Sequence, residues 1–109
     1  MSDLAKKDCI PCEDKDFPPM TKEQAHDFMT HVPLWSLQED SKEIHRVYRF
    51  KDFKEALAFV NKVGAIAEEQ SHHPDIRFGW GKVELSLSTH SIGGLSESDF
   101  IVASKVDLV

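Results

Sequence analysis

Cysteine, tyrosine and long apolar runs are scarce in this sequence of 109 residues, which has two cysteines and one tyrosine. Two cysteines cannot build the disulfide scaffold of a small secreted domain. No apolar run approaches the roughly 20 residues that cross a bilayer, and the first ten residues lack the apolar core of a secretory signal. These absences predict a cytoplasmic protein with no membrane contact.

Positive charge is also in short supply. The chain has 13 lysines and arginines against 19 aspartates and glutamates, a formal net charge of -6. Such a chain repels the phosphate backbone on average, so we do not expect a nucleic-acid partner. The hydrophobic share of 40% is ordinary for a globular protein, and the length suits one domain.

The composition changes near residue 20. Residues 1–20 carry charges, three prolines and both cysteines without a periodic apolar pattern, which predicts an irregular leader. Cys9 and Cys12 form a C-x-x-C pair, but the strand and helix of a redox motif are missing around it, as is a second pair to complete a zinc site. We assign these cysteines no role. Residues 21–109 are predicted to form a single domain.

Hydrophobic periodicity after residue 20 predicts three helices and four strands. Apolar residues at helical spacing follow capping signals at Thr21, Asp52 and Ser96. Alternating apolar residues predict two hairpins, with strands over residues 34–39, 43–50, 76–80 and 83–90. The order α-β-β-α-β-β-α indicates an α+β fold, a four-stranded antiparallel sheet with three helices packed on one face.

Histidine is unusually frequent, with six residues, of which His72 and His73 are adjacent. Glu68 precedes them by four residues, Asp75 follows, and His90 ends the predicted fourth strand. The pKa of imidazole lies near neutrality, so these side chains suit proton transfer. The residues alone leave three interpretations open: solvated histidines, a metal site completed by His90 with Glu68 or Asp75, or a catalytic cluster.

The combined spacing resembles the pterin-4a-carbinolamine dehydratase family, also known as the dimerization cofactor of a hepatocyte homeodomain factor. The similarity covers about residues 20 to 108. The segments that carry it are Phe50-Lys51-Asp52-Phe53, Glu68-x-x-x-His72-His73-Pro74, Leu87-Ser88-Thr89-His90, Gly93-Gly94-Leu95-Ser96 and Asp99-Phe100.

This resemblance implies the same α+β fold and the dehydration of a 4a-hydroxytetrahydropterin to a quinonoid dihydropterin and water, without a cofactor or a metal ion. It implies three catalytic residues, His72, His73 and His90, with His72 and His90 as the proton-transfer groups. The implied substrate-binding residues are Glu68, His72, His73, Pro74, Ser88, Thr89, His90 and Asp99.

The resemblance also implies partners. These are the pterin substrate, further copies of the chain in a homodimer or homotetramer, and a functionally coupled aromatic amino acid hydroxylase whose cofactor is recycled. Open sheet edges and the large apolar residues Trp35, Phe78 and Trp80 favour self-association as well. The alternative is a non-catalytic binding module that acts as a transcriptional dimerization cofactor, but the intact histidine set favours an enzyme.

Overall fold

A four-stranded antiparallel sheet organises the computed structural model, which describes residues 3–7 and 18–109. The helices are α1 (Lys22–Phe28), α2 (Phe53–Gln70) and α3 (Glu97–Val106). The strands are β1 (Ser36–Leu37), β2 (Ile44–Arg49), β3 (Asp75–Gly79) and β4 (Lys82–Leu87), in the spatial order β1-β2-β4-β3. The predicted α+β class and element order are confirmed.

Side-chain caps begin the helices where the sequence predicts them. Thr21 and Gln24 form a capping box at α1, and Asp52 accepts a hydrogen bond of 2.9 Å from the backbone N–H of Glu55 at α2. Helix α2 ends at Ser71, whose φ of 52° lies in the left-handed region. Within the described ranges, no helix combines the length and apolarity needed to span a membrane.

The two faces of the sheet differ in polarity. Along β4, Val83, Leu85 and Leu87 are buried, whereas Glu84 and Ser86 on the other face are half-buried. The apolar face packs against the helices in one hydrophobic core, and Phe28 of α1 meets Phe100 of α3 with ring centroids 5.2 Å apart. Within the described residues, no helix covers the polar face.

Several predicted element boundaries are wrong. Strand β1 has two residues rather than six, because only Ser36 and Leu37 pair with β2. The first helix ends at Phe28 and continues as a short 3-10 turn, Met29–His31. Strand β4 ends at Leu87, and His90 begins another 3-10 turn, so His90 does not lie on the strand.

The second hairpin turns at Trp80 and Gly81, one residue earlier than predicted. Gly81 has a φ of +73°, a conformation that favours glycine. A Cβ atom there would lie 2.9 Å from the carbonyl oxygen of Phe50, so a side chain would also clash with the backbone. The turn therefore requires glycine at position 81.

A short 3-10 turn near the N-terminus, Asp3–Lys6, packs against α3. Leu4 is 5% exposed and belongs to the core, and Lys105 Nζ donates a hydrogen bond of 2.8 Å to the carbonyl oxygen of Ala5. Part of the segment expected to be irregular is thus joined to the domain. The boundary at residue 20 stays a prediction, and Cys9 and Cys12 lie outside the described residues.

Asp107, just after α3, ties the end of that helix to the sheet. Its Oδ1 accepts hydrogen bonds from Trp35 Nε1 at 2.9 Å, Arg46 Nη1 at 2.7 Å and the Tyr48 hydroxyl at 2.9 Å. Arg46 interrupts the apolar alternation of β2, and this carboxylate is the reason that a cation is tolerated there. Burial, reinforced by the charge and hydrogen bond of Asp107, raises the pKa of Tyr48 above its usual value.

Replacing Tyr48 with phenylalanine should reduce the decrease in the free energy of unfolding that occurs in alkaline solution. Tyr48 is the only tyrosine, and it ionises near a pKa of about 10 in the unfolded chain but at higher pH in the folded one. Wild-type stability should therefore fall as the pH rises above about 10, by up to about 1.4 kcal/mol per pH unit from this group. Urea unfolding at about pH 9 and about pH 11 checks the difference. Equal losses in the wild type and Tyr48→Phe would contradict it.

Candidate active site

A buried carboxylate joins the three segments of the histidine motif. Asp99, in the first turn of α3, is 0% exposed. Its Oδ1 lies 2.6 Å from His72 Nε2 in the loop after α2, and its Oδ2 accepts a hydrogen bond of 2.8 Å from Thr89 Oγ1 after β4. The backbone N–H of Ser96 donates a third hydrogen bond, 2.9 Å long, to Oδ2. One side chain therefore fixes the relative positions of three chain segments.

Local sequence explains why the carboxylate is there. Ser96 and Asp99 form the capping box predicted for α3, and the positive end of the helix dipole favours an anion in the first turn. The Thr89 and Ser96 hydroxyls lie 2.8 Å apart, so Thr89 contacts both capping residues. Asp99 is thus both a capping residue of α3 and the partner of His72. The capping pattern alone does not predict the second role.

The contact with Asp99 selects which ring nitrogen of His72 is left for a ligand. A carboxylate only accepts hydrogen bonds, and it already faces two other donors, so His72 Nε2 carries the shared hydrogen. In the neutral ring, Nδ1 then carries the lone pair that can accept a proton. The His72 side chain is 12% exposed, so the ring is held tightly but is still reachable.

The other motif side chains are exposed around this fixed imidazole. His73 Nε2 lies 3.3 Å from Glu68 Oε2, and His90 Nε2 lies 4.0 Å from Asp75 Oδ2. The His90 side chain is 78% exposed. Exposed ion pairs of this kind hold their partners weakly, so these two histidines are less constrained than His72.

The structure joins three of the residues expected at the site in one cluster, whereas His73 pairs separately with Glu68, and His90 pairs with Asp75. His72, Thr89 and Asp99 are hydrogen-bonded to one another through the aspartate. Pro74 follows His73 and Ser88 precedes Thr89 in the chain, and both are half-buried. Ser96 was missing from the expected site residues, although its capping signal placed it next to Asp99. The catalytic and binding roles stay predictions.

A metal centre gains no support from the described residues. Within residues 3–7 and 18–109, no three histidine, cysteine, aspartate or glutamate side chains are grouped so that they could hold one ion. Each motif imidazole instead faces a carboxylate. This arrangement suits proton transfer, in which a carboxylate orients an imidazole and stabilises its protonated form.

Comparison with known proteins assigns the family. The sequence profile of the pterin 4 alpha carbinolamine dehydratase family matches residues 18–109. The chain belongs to this family. A Rubrobacter xylanophilus protein, provisionally named a pterin-4-alpha-carbinolamine dehydratase, is 50% identical over 107 residues, which cover 98% of each chain. The family resemblance seen in the motif is thereby confirmed.

A plant protein and a bacterial protein of solved structure are two further relatives. The mitochondrial pterin-4-alpha-carbinolamine dehydratase 2 of Arabidopsis thaliana is 42% identical over 98% of this chain and 59% of its own length. A crystal structure from Brucella melitensis, described as a transcriptional coactivator/pterin dehydratase, superimposes with a TM-score of 0.78 at 28% identity. It covers 83% of this chain and 96% of its own.

Replacing Thr89 with valine should destabilise the protein. Valine keeps the shape of threonine but removes the hydroxyl that donates to the buried Asp99, and a buried acceptor that loses its partner costs about 1–3 kcal/mol. Thr89→Ser, which keeps the hydroxyl, is the matched control and should lose clearly less. Chemical denaturation measures both. A Thr89→Val variant as stable as the wild type would show that this hydrogen bond contributes nothing.

Proposed function

We propose that this chain catalyses the dehydration of a 4a-hydroxytetrahydropterin to a quinonoid dihydropterin and water. The observation that carries the proposal is the buried Asp99 carboxylate that fixes His72 in the family motif. A structural histidine could simply face solvent, whereas this imidazole is oriented through Nε2 by a fully buried carboxyl group, which leaves Nδ1 for proton transfer.

The reaction needs one acid and one base. The bond between C4a and its hydroxyl oxygen breaks, and a double bond forms between C4a and N5. The oxygen gains a proton and leaves as water, while N5 loses its proton, so charge and atoms balance. Groups that titrate near neutrality can do both steps without a metal ion or an organic cofactor.

The environments of the histidines favour particular roles. His72 Nδ1 would accept the proton from N5, because Asp99 faces the opposite nitrogen and stabilises the positive charge that then forms on the ring. His90 is exposed and loosely paired with Asp75, which suits a group that protonates the departing oxygen and exchanges protons with water.

The remaining motif residues would bind the ring. His73 and Glu68 lie side by side at the open edge, where a carboxylate can accept paired hydrogen bonds from the polar edge of a pterin. Pro74 and Ser88 would complete the walls of the site. Thr89 would act by holding Asp99, since its hydroxyl is directed at that carboxylate.

An enzyme fits this arrangement better than the alternative of a non-catalytic transcriptional dimerization cofactor. A helix-binding module has no need of a buried aspartate that orients an imidazole. Recycling of the pterin for an aromatic amino acid hydroxylase is the pathway role that we infer from the family. The cytoplasmic location predicted from the sequence stays a prediction.

We also propose a homodimer or homotetramer. Phe53 and Leu57 are exposed on α2, and Trp80 is 74% exposed in the second hairpin. Of the three large residues considered from sequence, Trp35 is buried and Phe78 is partly buried against the core, so Trp80 alone is prominent at the surface. Within the described sheet, β1 and β3 are edge strands, which a second copy could pair or cover.

Replacing His72 or His90 with alanine should lower turnover about 100-fold or more, because each removes a proton-transfer group. Stopped-flow measurement of 4a-hydroxytetrahydropterin dehydration gives the rates, and circular dichroism shows that each variant is folded. His26→Ala, at an exposed position on α1, is the control and should keep the wild-type rate. Wild-type rates in both site variants would refute the assignment.

Light scattering over a micromolar dilution series should give a mass that is a multiple of 12.4 kDa. Two times that mass would indicate a dimer, and four times would indicate a tetramer. A mass near that of one chain at every concentration would contradict the proposal of self-association.

A further inference from the structure

The 3-10 turn that carries His90 is closed at its base by Thr89 and Gly94. The backbone N–H of Thr89 donates a hydrogen bond of 2.7 Å to the carbonyl oxygen of Gly94, and the N–H of Gly94 returns one of 3.4 Å. The two residues thus form an isolated antiparallel bridge. The His90 imidazole is exposed and can change its rotamer, but the backbone from which it extends is held by this bridge.

The same bridge is connected to the buried carboxylate. The side chain of Thr89 donates a hydrogen bond of 2.8 Å to Asp99 Oδ2, and Asp99 Oδ1 lies 2.6 Å from His72 Nε2. A displacement of the Thr89 backbone would therefore act on His72 as well as on His90. Both of the proposed proton-transfer groups depend on where this bridge lies.

Residues 18–20, which precede α1, lie against the outer side of the bridge. The backbone N–H of Met20 donates a hydrogen bond of 2.8 Å to the carbonyl oxygen of Leu95, and Met20 packs partly buried against the core. A Cβ atom built on Gly94 would lie 2.8 Å from Cβ of Pro19. Carbon atoms in favourable contact are about 3.5–4.0 Å apart, so the Pro19 ring occupies the space that a side chain at position 94 would need.

Space, and not backbone conformation, requires glycine at position 94. Gly94 has no positive φ, so alanine could adopt its backbone conformation. The Pro19 Cβ belongs to a closed ring and cannot rotate away, and the neighbouring Met20 is held by its hydrogen bond to Leu95. An added methyl group would therefore push the Pro19 segment and the bridge apart.

We propose that Pro19 and Gly94 are positioning residues for the proton-transfer groups, because their contact fixes the base of the His90 turn. Through Thr89, the same contact fixes the Asp99–His72 pair. The proposal rests on the proposed dehydratase function and extends the site to a segment that lies outside the histidine motif. Neither residue is itself a proton-transfer group.

Hydrogen exchange at the Thr89 amide tests the contact without requiring turnover, because that N–H bonds to the Gly94 carbonyl. Gly94→Ala should accelerate this exchange about fivefold or more, as the loss of one hydrogen bond allows. The double variant Gly94→Ala/Pro19→Gly should return to within about twofold of the wild type, because the new Cβ then takes the space of the one removed. Gly64→Ala, on α2 where an added Cβ meets nothing within 4 Å, is the matched control and should exchange at the wild-type rate.

Kinetics test whether the contact positions the reacting groups. Gly94→Ala should lower kcat for dehydration about tenfold, because a shift of a fraction of an ångström misplaces both proton-transfer groups. Calorimetry with an unreactive 7,8-dihydropterin should show binding to every chain, with an affinity within about twofold of the wild type. Full occupancy would show that the lower kcat does not come from unfolded protein. The double variant should recover most of the lost rate, and Gly64→Ala should keep the wild-type rate.

Each outcome has a distinct meaning. Wild-type exchange at Thr89 in Gly94→Ala would overturn the steric contact. Faster exchange with an unchanged kcat would overturn the positioning role while leaving the dehydratase function intact. A double variant as impaired as Gly94→Ala would show that Pro19 is not the partner. Absence of dehydration by the wild-type protein would overturn the proposed function and the positioning role with it.

Discussion

The buried carboxylate of Asp99 is the interaction on which the candidate site depends. An ion removed from water is tolerated only when its oxygens meet donors, and here an imidazole, a hydroxyl and a backbone N–H do so. The hydrogen bonds that compensate for the burial of this carboxylate also connect the end of α2, the end of β4 and the start of α3. The need to satisfy Asp99 therefore also sets the orientation of His72.

Helix α3 holds this carboxylate in place because both of its ends are tied to the sheet side of the molecule. Its interior is almost wholly buried, and just after its last turn Asp107 binds Trp35, Arg46 and Tyr48. A site built on an element whose side chains are held by packing and hydrogen bonds keeps its geometry. His90, by contrast, lies on an exposed 3-10 turn, so one side of the site is rigid and the other is adaptable.

The sheet serves two purposes because its two faces differ. One face completes the hydrophobic core with the helices, and the other carries a polar groove that reaches the histidine cluster at Asp75. The fold by itself does not specify an activity. The proposed reaction instead follows from particular side chains in the loop after α2, in the segment after β4 and in the first turn of α3.

Local patterns in the sequence determined the helices, the two hairpins and the motif, because capping at Thr21 or alternation along β4 depends on residues a few positions apart. Only the tertiary structure decided which distant residues these elements contact. Strand β1 is short because its length depends on pairing with β2. Arg46 is half-buried on β2, where Asp107, 61 positions away, accepts its hydrogen bond. The contact of His72 with Asp99 likewise spans 27 positions. Periodicity and spacing describe residues that are near one another in the sequence. They do not predict contacts between residues far apart in the sequence, because such contacts form only when the chain folds.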